Sequence, residues 1–235
     1  MLRPETVAGK LKVDFHTHTC DDPKDYIDFS AEELIDRAAE RGLDALAITN
    51  HNVITFSCEL EDYAAGRGVL LIPGVELTLS NKHVVVLNPN SRKAEDLRSL
   101  ADLASIRHDG SLIIAPHPFY PGSRCLKSKL EEHLDFFDAI EFSFFYSRFI
   151  NPNRKAVKIA RASGKPLVGS SDCHNIWQVG FTYSLVEAQK TIPSLIKAVK
   201  EGRVEVATEP LSIWEMGRVG INWVLGDKLR IHLRI

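Results

Sequence analysis

The sequence has few cysteines, no long apolar run and no strong excess of either charge. Its four cysteines (Cys20, Cys58, Cys125 and Cys173) show no CxxC spacing, which favours a reduced, cytoplasmic setting over a disulfide framework. No apolar run approaches the roughly 18 residues of a membrane-spanning helix, and the first residues lack the apolar segment of a signal peptide, so we expect no membrane association. The formal net charge of −2 gives no general attraction to nucleic acid or anionic lipid.

The composition is that of a globular protein. Of the 235 residues, 44% are hydrophobic and 26% are charged, which is ordinary for a folded soluble chain. Single barrels often reach this length. Because no linker, low-complexity segment or internal repeat divides the sequence, we predict one domain over residues 1–235.

Short apolar runs alternate with amphipathic segments along the chain. Examples are a strand at Lys12–Phe15, a helix capped by Ser30 with Glu33 as its capping-box partner, and a helix over Ala94–Arg107. About seven strand–helix units predict an α/β fold, a distorted TIM-like (β/α)7 barrel, with an open doubly wound sheet as the alternative. Histidines and carboxylates follow most strands, and barrel enzymes carry their active sites at that face.

The first strand ends in Asp14-Phe15-His16-Thr17-His18-Thr19. Residues two apart on a strand point to one face, so His16 and His18 would direct both imidazoles at one point. Neutral imidazole is a common ligand of transition metals. The pair therefore predicts part of a metal site.

Later strand ends add further donors of the same kinds. Zinc uses about four ligands, whereas this set is much larger, so we predict two or three divalent ions. The additional candidate residues are Asp21, Asp22, His51, Glu76, His83, His117, Glu141, Asp172 and His174.

The ordered motifs HTHT, TNH, PGVE, HPF and SDCH resemble those of the PHP family, named after polymerase and histidinol phosphatase. The similarity runs from Lys12 to Gly202, and the order of the motifs makes it specific. The resemblance implies a distorted (β/α)7 barrel with a trinuclear metal centre, in which a metal-activated water hydrolyses phosphate esters.

The resemblance also implies three groups of metal ligands. The first is His16, His18, Glu76 and Asp172. The second shares Glu76 and adds His83 and His117. The third is His51, His174 and a carboxylate of the loop after His18, for which we choose Asp22 and hold Asp21 in reserve.

Three further residues have assigned roles around these ligands. Asn50 stands where the family usually has Asp, and it keeps hydrogen bonding but cannot exchange a proton at neutral pH. Glu141 would orient a ligand, with a solvated position on the barrel rim as the alternative. Arg124, in the loop after His117, is a candidate for binding phosphate oxygens, with an ordinary surface charge as the alternative.

The expected activity is that of a metal-dependent phosphoesterase, a phosphatase or an exonuclease. Asp172 would act as a catalytic metal ligand, and His51 or His174, if free of metal, would protonate the leaving group. A histidine-rich set favours Zn, Mn or Fe over Mg. The short stretch between His83 and His117 predicts an open site, compatible with a phosphorylated small molecule or a short nucleic acid. The alternatives are an amidohydrolase-type enzyme and a catalytically silent PHP module that binds a partner.

The end of the chain, Leu211–Ile235, has its own pattern. Ile213, Trp214, Met216 and Val219 fit one face of a helix, and apolar residues alternate with polar ones after Gly226. We expect this tail to pack on the barrel or to form a dimer contact; the oligomeric state is left open.

Overall fold

The computed structural model describes residues 9–89 and 96–221, and their strands form a single curved sheet. The strands are β1 (Leu11–Thr17), β2 (Ala45–Ile48), β3 (Leu70–Leu79), β4 (Lys82–Leu87), β5 (Leu112–Ala115), β6 (Ala139–Ser143), β7 (Leu167–Ser170), β8 (Thr182–Val186) and β9 (Val204–Thr208). Their order across the sheet is β7-β6-β5-β4-β3-β2-β1-β8-β9. The sheet curls until its ends nearly meet, which confirms the predicted α/β barrel of one domain.

Most of the helices lie between strands. They are α1 (Ala31–Glu40), α2 (Cys58–Gly66), α3 (Leu103–Ile106), α4 (Ser128–Glu132), α5 (Asn153–Ser163), α6 (Ile192–Lys200) and α7 (Ile213–Ile221). Within the described ranges, no helix has the length and apolarity needed to cross a membrane.

The strand directions depart from a regular (β/α)7 barrel. Parallel pairs join β1 to β2, β2 to β3, β5 to β6 and β6 to β7. Antiparallel pairs involve β4, β8 and β9. The β3–β4 connection is a hairpin, and its two turn residues, Ser80 and Asn81, have φ of 47° and 62°, as a tight hairpin turn requires. Because β4 runs backwards, its first residues lie at the same end of the barrel as the last residues of β3.

Most strand residues outside β9 are buried because both faces of the sheet are covered. Val13, Ala45, Val85 and Ile114 belong to a core cluster that also contains residues of α6. Alternate residues on the opposite face pack outwards, as Leu46 does against α1 and α2. This double burial explains why the strands appear in the sequence as continuous apolar runs.

The barrel closes where β7 meets β8 across a glycine. The Gly169 amide donates to Ser184 Oγ at 2.9 Å, and that hydroxyl donates back to the Gly169 carbonyl at 3.0 Å. A Cβ on Gly169 would lie 2.5 Å from the carbonyl oxygen of Tyr183. Side chains do not fit at that separation, so a glycine is required for the two strands to approach.

We expect Gly169→Ala to destabilise the protein by about 2 kcal/mol, because the added methyl must push the two strands apart. For a chain of this size the melting temperature should fall by about 4–8 °C, which calorimetry would measure. Gly66→Ala is the matched control, since no atom lies within 4 Å of its Cβ position in α2. Equal melting temperatures for the two variants would contradict this account of closure.

Local signals in the sequence explain the ends of α1 and α5. Ser30 caps α1, with Glu33 completing the predicted capping box. Gly164 ends α5 with a left-handed φ of 70°. The helix predicted over Ala94–Arg107 is wrong in its described part, where a 3-10 turn at Leu100–Asp102 precedes the short α3. Ser99 and Asp102 form a capping box there, which starts a new turn where the prediction had a helix interior.

The tail begins by docking on the barrel. The Leu211 amide donates to the Tyr146 carbonyl at 2.8 Å, and the Arg218 guanidinium stacks 5.0 Å from the Trp177 ring centroid. Ile213 and Trp214, expected on an apolar helix face, are 72% and 89% exposed. The strand predicted after Gly226 lies outside the described residues.

Candidate metal centre

Four donor atoms from β1, β3 and the end of β7 converge at the barrel mouth. His16 Nε2 lies 3.1 Å from His18 Nε2 and 3.4 Å from both Glu76 Oε2 and Asp172 Oδ1. His18 Nε2 lies 3.4 Å from Glu76 Oε2 and 3.3 Å from Asp172 Oδ1. Ligands about 2.0–2.1 Å from a tetrahedral ion are separated by about 3.3 Å. Five of the six separations among these donor atoms therefore match those of ligands around one transition-metal ion.

A second group shares Glu76 with the first. Glu76 Oε1 lies 2.8 Å from His83 Nδ1 and 3.2 Å from His117 Nε2. His83 is diagonal to Glu76 on one face of the β3–β4 hairpin, where its Cα partner is Thr78. The two oxygens of Glu76 thus face two different groups of histidines, the arrangement that a bridging carboxylate adopts between two ions.

A third group lies against the loop that follows His18. Asp25 Oδ2 is 3.0 Å from His174 Nε2 and 3.3 Å from His51 Nδ1. Asp22 Oδ2 contacts Nδ1 of His18 at 2.9 Å and Nδ1 of His51 at 2.8 Å. Asp22 therefore contacts the outer nitrogen of the His18 ring, whereas Nε2 of the same ring belongs to the first donor group. Asp25 belongs to none of the sequence motifs.

Two of these ligands have unusual backbone conformations. His117 has a φ of 28° and Asp172 a φ of 45°, in the left-handed region that non-glycine residues rarely adopt. The Asp172 amide donates to the His16 carbonyl at 2.9 Å, which holds the end of β7 against β1. Such strain clusters at functional sites, where surrounding contacts impose it.

The charges within the centre depend strongly on one another. Burial lowers the pKa of His51, but Glu76 and Asp22 outweigh burial and raise it to about 10. Burial likewise opposes protonation of His174, yet the Asp25 hydrogen bond raises its pKa to about 9. The histidines hold the pKa of Asp172 well below its usual value, against the effect of burial. Without metal, protonated histidines therefore neutralise these carboxylates.

The outer ring nitrogens of several ligands are also occupied. Glu141 Oε2 lies 2.9 Å from His16 Nδ1, so it sits in the orienting position considered from the sequence. His174 Nδ1 lies 3.0 Å from the Asp172 carbonyl oxygen. His117 Nδ1 lies 3.5 Å from the thiol sulfur of Cys125, a second contact that the sequence did not suggest. Such partners fix the tautomer and ring orientation of a metal ligand.

Asn50 is buried beside the centre but has other partners. Its Oδ1 accepts from the Thr19 amide at 2.9 Å. Its Nδ2 donates to the hydroxyls of Thr19 and Thr55, both at 2.8 Å. Asn50 thus holds together the loops that follow β1 and β2, and its side chain can do so without exchanging a proton.

Several of the candidate ligands line a cleft of about 460 Å³, namely Asp25, His51, Glu76, His83, His117, Asp172 and His174. Its walls include Lys24, Tyr26, Arg124 and Phe145, together with Val219 and Gly220 of α7. The structure thus places Arg124, the predicted phosphate-binding residue, on the cleft wall. Lys24 lies there too, although no sequence motif pointed to it.

Neither Asp25, the new acidic candidate, nor Cys125 belongs to a recognisable sequence motif. Asp22 Oδ1 accepts from the amides of Lys24 and Asp25 at 2.8 and 3.1 Å, and this turn directs Asp25 towards His174. The only available signal was a third carboxylate in the same loop. Cys125 reaches His117 because the loop between them folds back, which periodicity does not reveal.

Comparison with other proteins gives a consistent picture. A profile of the PHP domain matches residues 14–147, and a PHP-associated profile matches residues 151–204. The uncharacterized protein MJ0417 of Methanocaldococcus jannaschii is 26% identical over 178 residues, which is 74% of this chain and 69% of that protein.

Two solved structures share the fold at low sequence identity. One is a two-domain protein of Bacteroides vulgatus containing a PHP-like metal-dependent phosphoesterase, with a TM-score of 0.63 and 17% identity over 93% of this chain and 73% of the other. The second is the lesion-specific endonuclease PfuEndoQ of Pyrococcus furiosus, with a TM-score of 0.58 and 14% identity over 91% and 66%. The PHP profile spans more than half of the chain and includes seven of the candidate ligands, namely His16, His18, Asp22, His51, Glu76, His83 and His117. The chain therefore belongs to the PHP domain family.

Proposed function

We propose that this protein is a metal-dependent phosphoesterase. The observation that carries the proposal is the first donor group, in which five ligand–ligand distances lie between 3.1 and 3.4 Å. These distances match the spacing of ligands around a metal ion. Close packing of His16, His18, Glu76 and Asp172 would not by itself bring their donor atoms to this spacing. Membership of the PHP family supports hydrolysis of a phosphate ester as the reaction.

We assign the first ion to His16, His18, Glu76 and Asp172, and the second to Glu76, His83 and His117. Two divalent ions held in this way supply Lewis-acid stabilisation of the phosphoryl oxygens and a water acidic enough to react near neutral pH. Glu141 and Cys125 would keep Nε2 of His16 and of His117 directed at the ions. Zn, Mn and Fe suit these nitrogen-rich groups.

For a third ion we propose Asp25, His51 and His174, with Asp22 orienting His18 and His51. Asp25→Asn should then lower the metal content by about one ion per chain, because a neutral amide is a poor substitute for a carboxylate ligand. Elemental analysis of the purified variant measures this content. Asp21→Asn is the control, since Asp21 is exposed in the same loop; equal losses in the two variants would reject Asp25 as a ligand.

His174 provides a proton donor when the third ion is absent. Its side chain is one-third exposed and lines the cleft. The Asp25 contact outweighs burial and raises its pKa to about 9, so it carries a proton at neutral pH. Protonation of the leaving oxygen is general acid catalysis. His51 is nearly enclosed and reaches the cleft less directly.

The cleft accepts more than one class of phosphate ester. Its volume of about 460 Å³ suits a phosphorylated small molecule, and the likeness to a lesion-specific endonuclease supports a nucleic acid as the alternative substrate. The silent-module alternative gains nothing from Asn50, because the threonine contacts of its amide account for its burial.

The deciding experiment combines metal analysis with three assays. The protein is loaded with Mn and tested on p-nitrophenyl phosphate, bis-p-nitrophenyl phosphate and a short 5′-phosphorylated oligonucleotide. We expect hydrolysis of at least one substrate, lost on chelation and restored by metal. Metal-loaded protein that is inactive on all three would reject the proposed function.

A further inference from the structure

Two cations on the cleft wall have no carboxylate partner. Lys24 and Arg124 both line the cleft. Within residues 9–89 and 96–221, neither has a carboxylate oxygen within 4.0 Å of its charged nitrogens, the range that defines an ion pair. The carboxylates that line the cleft are those of Asp25, Glu76 and Asp172, and all three face histidines of the metal centre. The rim of the cleft is therefore positive.

Both cations are held beside the second donor group. Lys24 Nζ donates to Thr78 Oγ1 at 2.6 Å, and Thr78 is the cross-strand partner of His83. The Arg124 carbonyl accepts from the His83 amide at 2.9 Å. Lys82 Nζ donates to the neighbouring Ser123 carbonyl at 2.6 Å and so fixes the same loop. The positions of Lys24 and Arg124 are thus tied to the hairpin that carries His83.

Both cations line the same cleft and are exposed to solvent. Ammonium and guanidinium groups form charge-assisted hydrogen bonds with phosphate oxygens, so the pair is suited to bind a phosphate group.

Given the proposed phosphoesterase function, we propose that Lys24 and Arg124 form a subsite for a second phosphate of the substrate, distinct from the one that is hydrolysed. The reacting phosphate would bind at the metal centre, and the cation pair would hold the second phosphate at the exposed edge of the cleft. Preferred substrates then carry two phosphates, either on one small molecule or along a nucleotide chain.

The test compares matched substrates with one and two phosphates. One arm uses propyl phosphate against propanediol bisphosphate, and the other uses thymidine monophosphate against the dinucleotide pTpT. Wild type should prefer the doubly phosphorylated member in at least one arm, and that arm identifies the source of the second phosphate. In the double variant Lys24→Met, Arg124→Ala, the preference should fall by about 10- to 100-fold, the range for loss of charge-assisted hydrogen bonds, mainly through KM.

The matched control is Lys158→Met, Arg161→Ala, which removes the same charges from exposed positions of α5, away from the cleft; it should keep the wild-type preference. An equal fall for one- and two-phosphate substrates would overturn the proposal, because the cations would then contact the reacting phosphate. An unchanged preference would overturn it as well.

A binding measurement separates failure of the subsite from failure of the proposed function. Calorimetry on the metal-loaded protein compares propane-1,3-bisphosphonate with propylphosphonate, neither of which needs to be hydrolysed. Tighter binding of the bisphosphonate, lost in the double variant, supports the subsite even without turnover of any substrate. Equal affinity for both compounds in wild type would overturn the proposal even if the protein hydrolyses phosphate esters.

Discussion

Glu76→Gln should abolish activity and remove two ions at once. The carboxylate lies between His16 and His18 on one oxygen and His83 and His117 on the other. Glutamine has the same shape as glutamate but no charge, and its amide nitrogen does not bind a metal ion. Two ions contribute several kcal/mol of transition-state stabilisation, so the rate should fall by about a thousand-fold or more. Elemental analysis and the p-nitrophenyl phosphate assay measure the two losses together.

Glu141→Gln provides the matched control, because both glutamates are buried and both face His16. Glu141 contacts the outer nitrogen of His16, away from the ligand atoms, and changing such a partner typically lowers affinity or activity by about 10- to 100-fold. The two variants should therefore differ by at least about ten-fold in rate. Full metal content and activity in Glu76→Gln would disprove the assignment of Glu76 as the shared ligand.

Protein stripped of metal should lose stability as the pH rises from about 6.5 to 10. The folded-state pKa values of His51 and His174, about 10 and about 9, exceed the ordinary value near 6.5. Their contribution to stability is thus complete below about pH 6.5 and disappears as the pH rises through the folded-state values. One pKa unit corresponds to about 1.4 kcal/mol, so several kcal/mol are involved. Melting temperatures of chelator-treated protein across this range provide the measurement.

Acid has the opposite effect on the carboxylates. The histidines lower the pKa of Asp22 and of Asp172 against burial, so their contribution is present above about pH 4 and is lost as the pH falls through the folded-state values. Stripped protein should be most stable between about pH 4 and 6.5.

Metal loading should reverse the alkaline loss. Ions displace protons from the histidines, so their stabilising effect grows with pH. At pH 8 we expect loading to raise the melting temperature by about 10 °C or more, given about 2–4 °C per kcal/mol for chains of this size. A stripped protein whose melting temperature stays constant from pH 6 to 9 would refute this view of the centre.

The sequence predicted those ligands that follow regular strands. The two-residue period of a strand places His16 and His18 on one face of β1. The ends of other strands bring His51, His117 and Asp172 to the same end of the barrel. The structure brings the predicted ligands together there. The capping box of α1 was also predicted correctly, because it depends on two residues only three positions apart.

The remaining parts of the site depend on contacts between segments far apart in the chain. Asp25 reaches His174 because the Asp22 carboxylate turns the loop, and Lys24 reaches the cleft through Thr78 on another strand. The helix predicted over Ala94–Arg107 failed because the capping box at Ser99 interrupts a sequence that is otherwise helical in pattern. None of these features has a periodicity from which it could be inferred.

The junction at Gly169 makes metal binding and barrel closure a single equilibrium. β7 meets β8 at Gly169, and three residues further on Asp172 completes the first ligand group through its contacts with β1. An opening of this seam would carry Asp172 and His174 away from His16 and His18 and so dismantle the centre. Bound ions would therefore hold β1 and β7 together. Amide hydrogen exchange at Gly169 and Asp172 would slow as the metal occupancy of the centre rises.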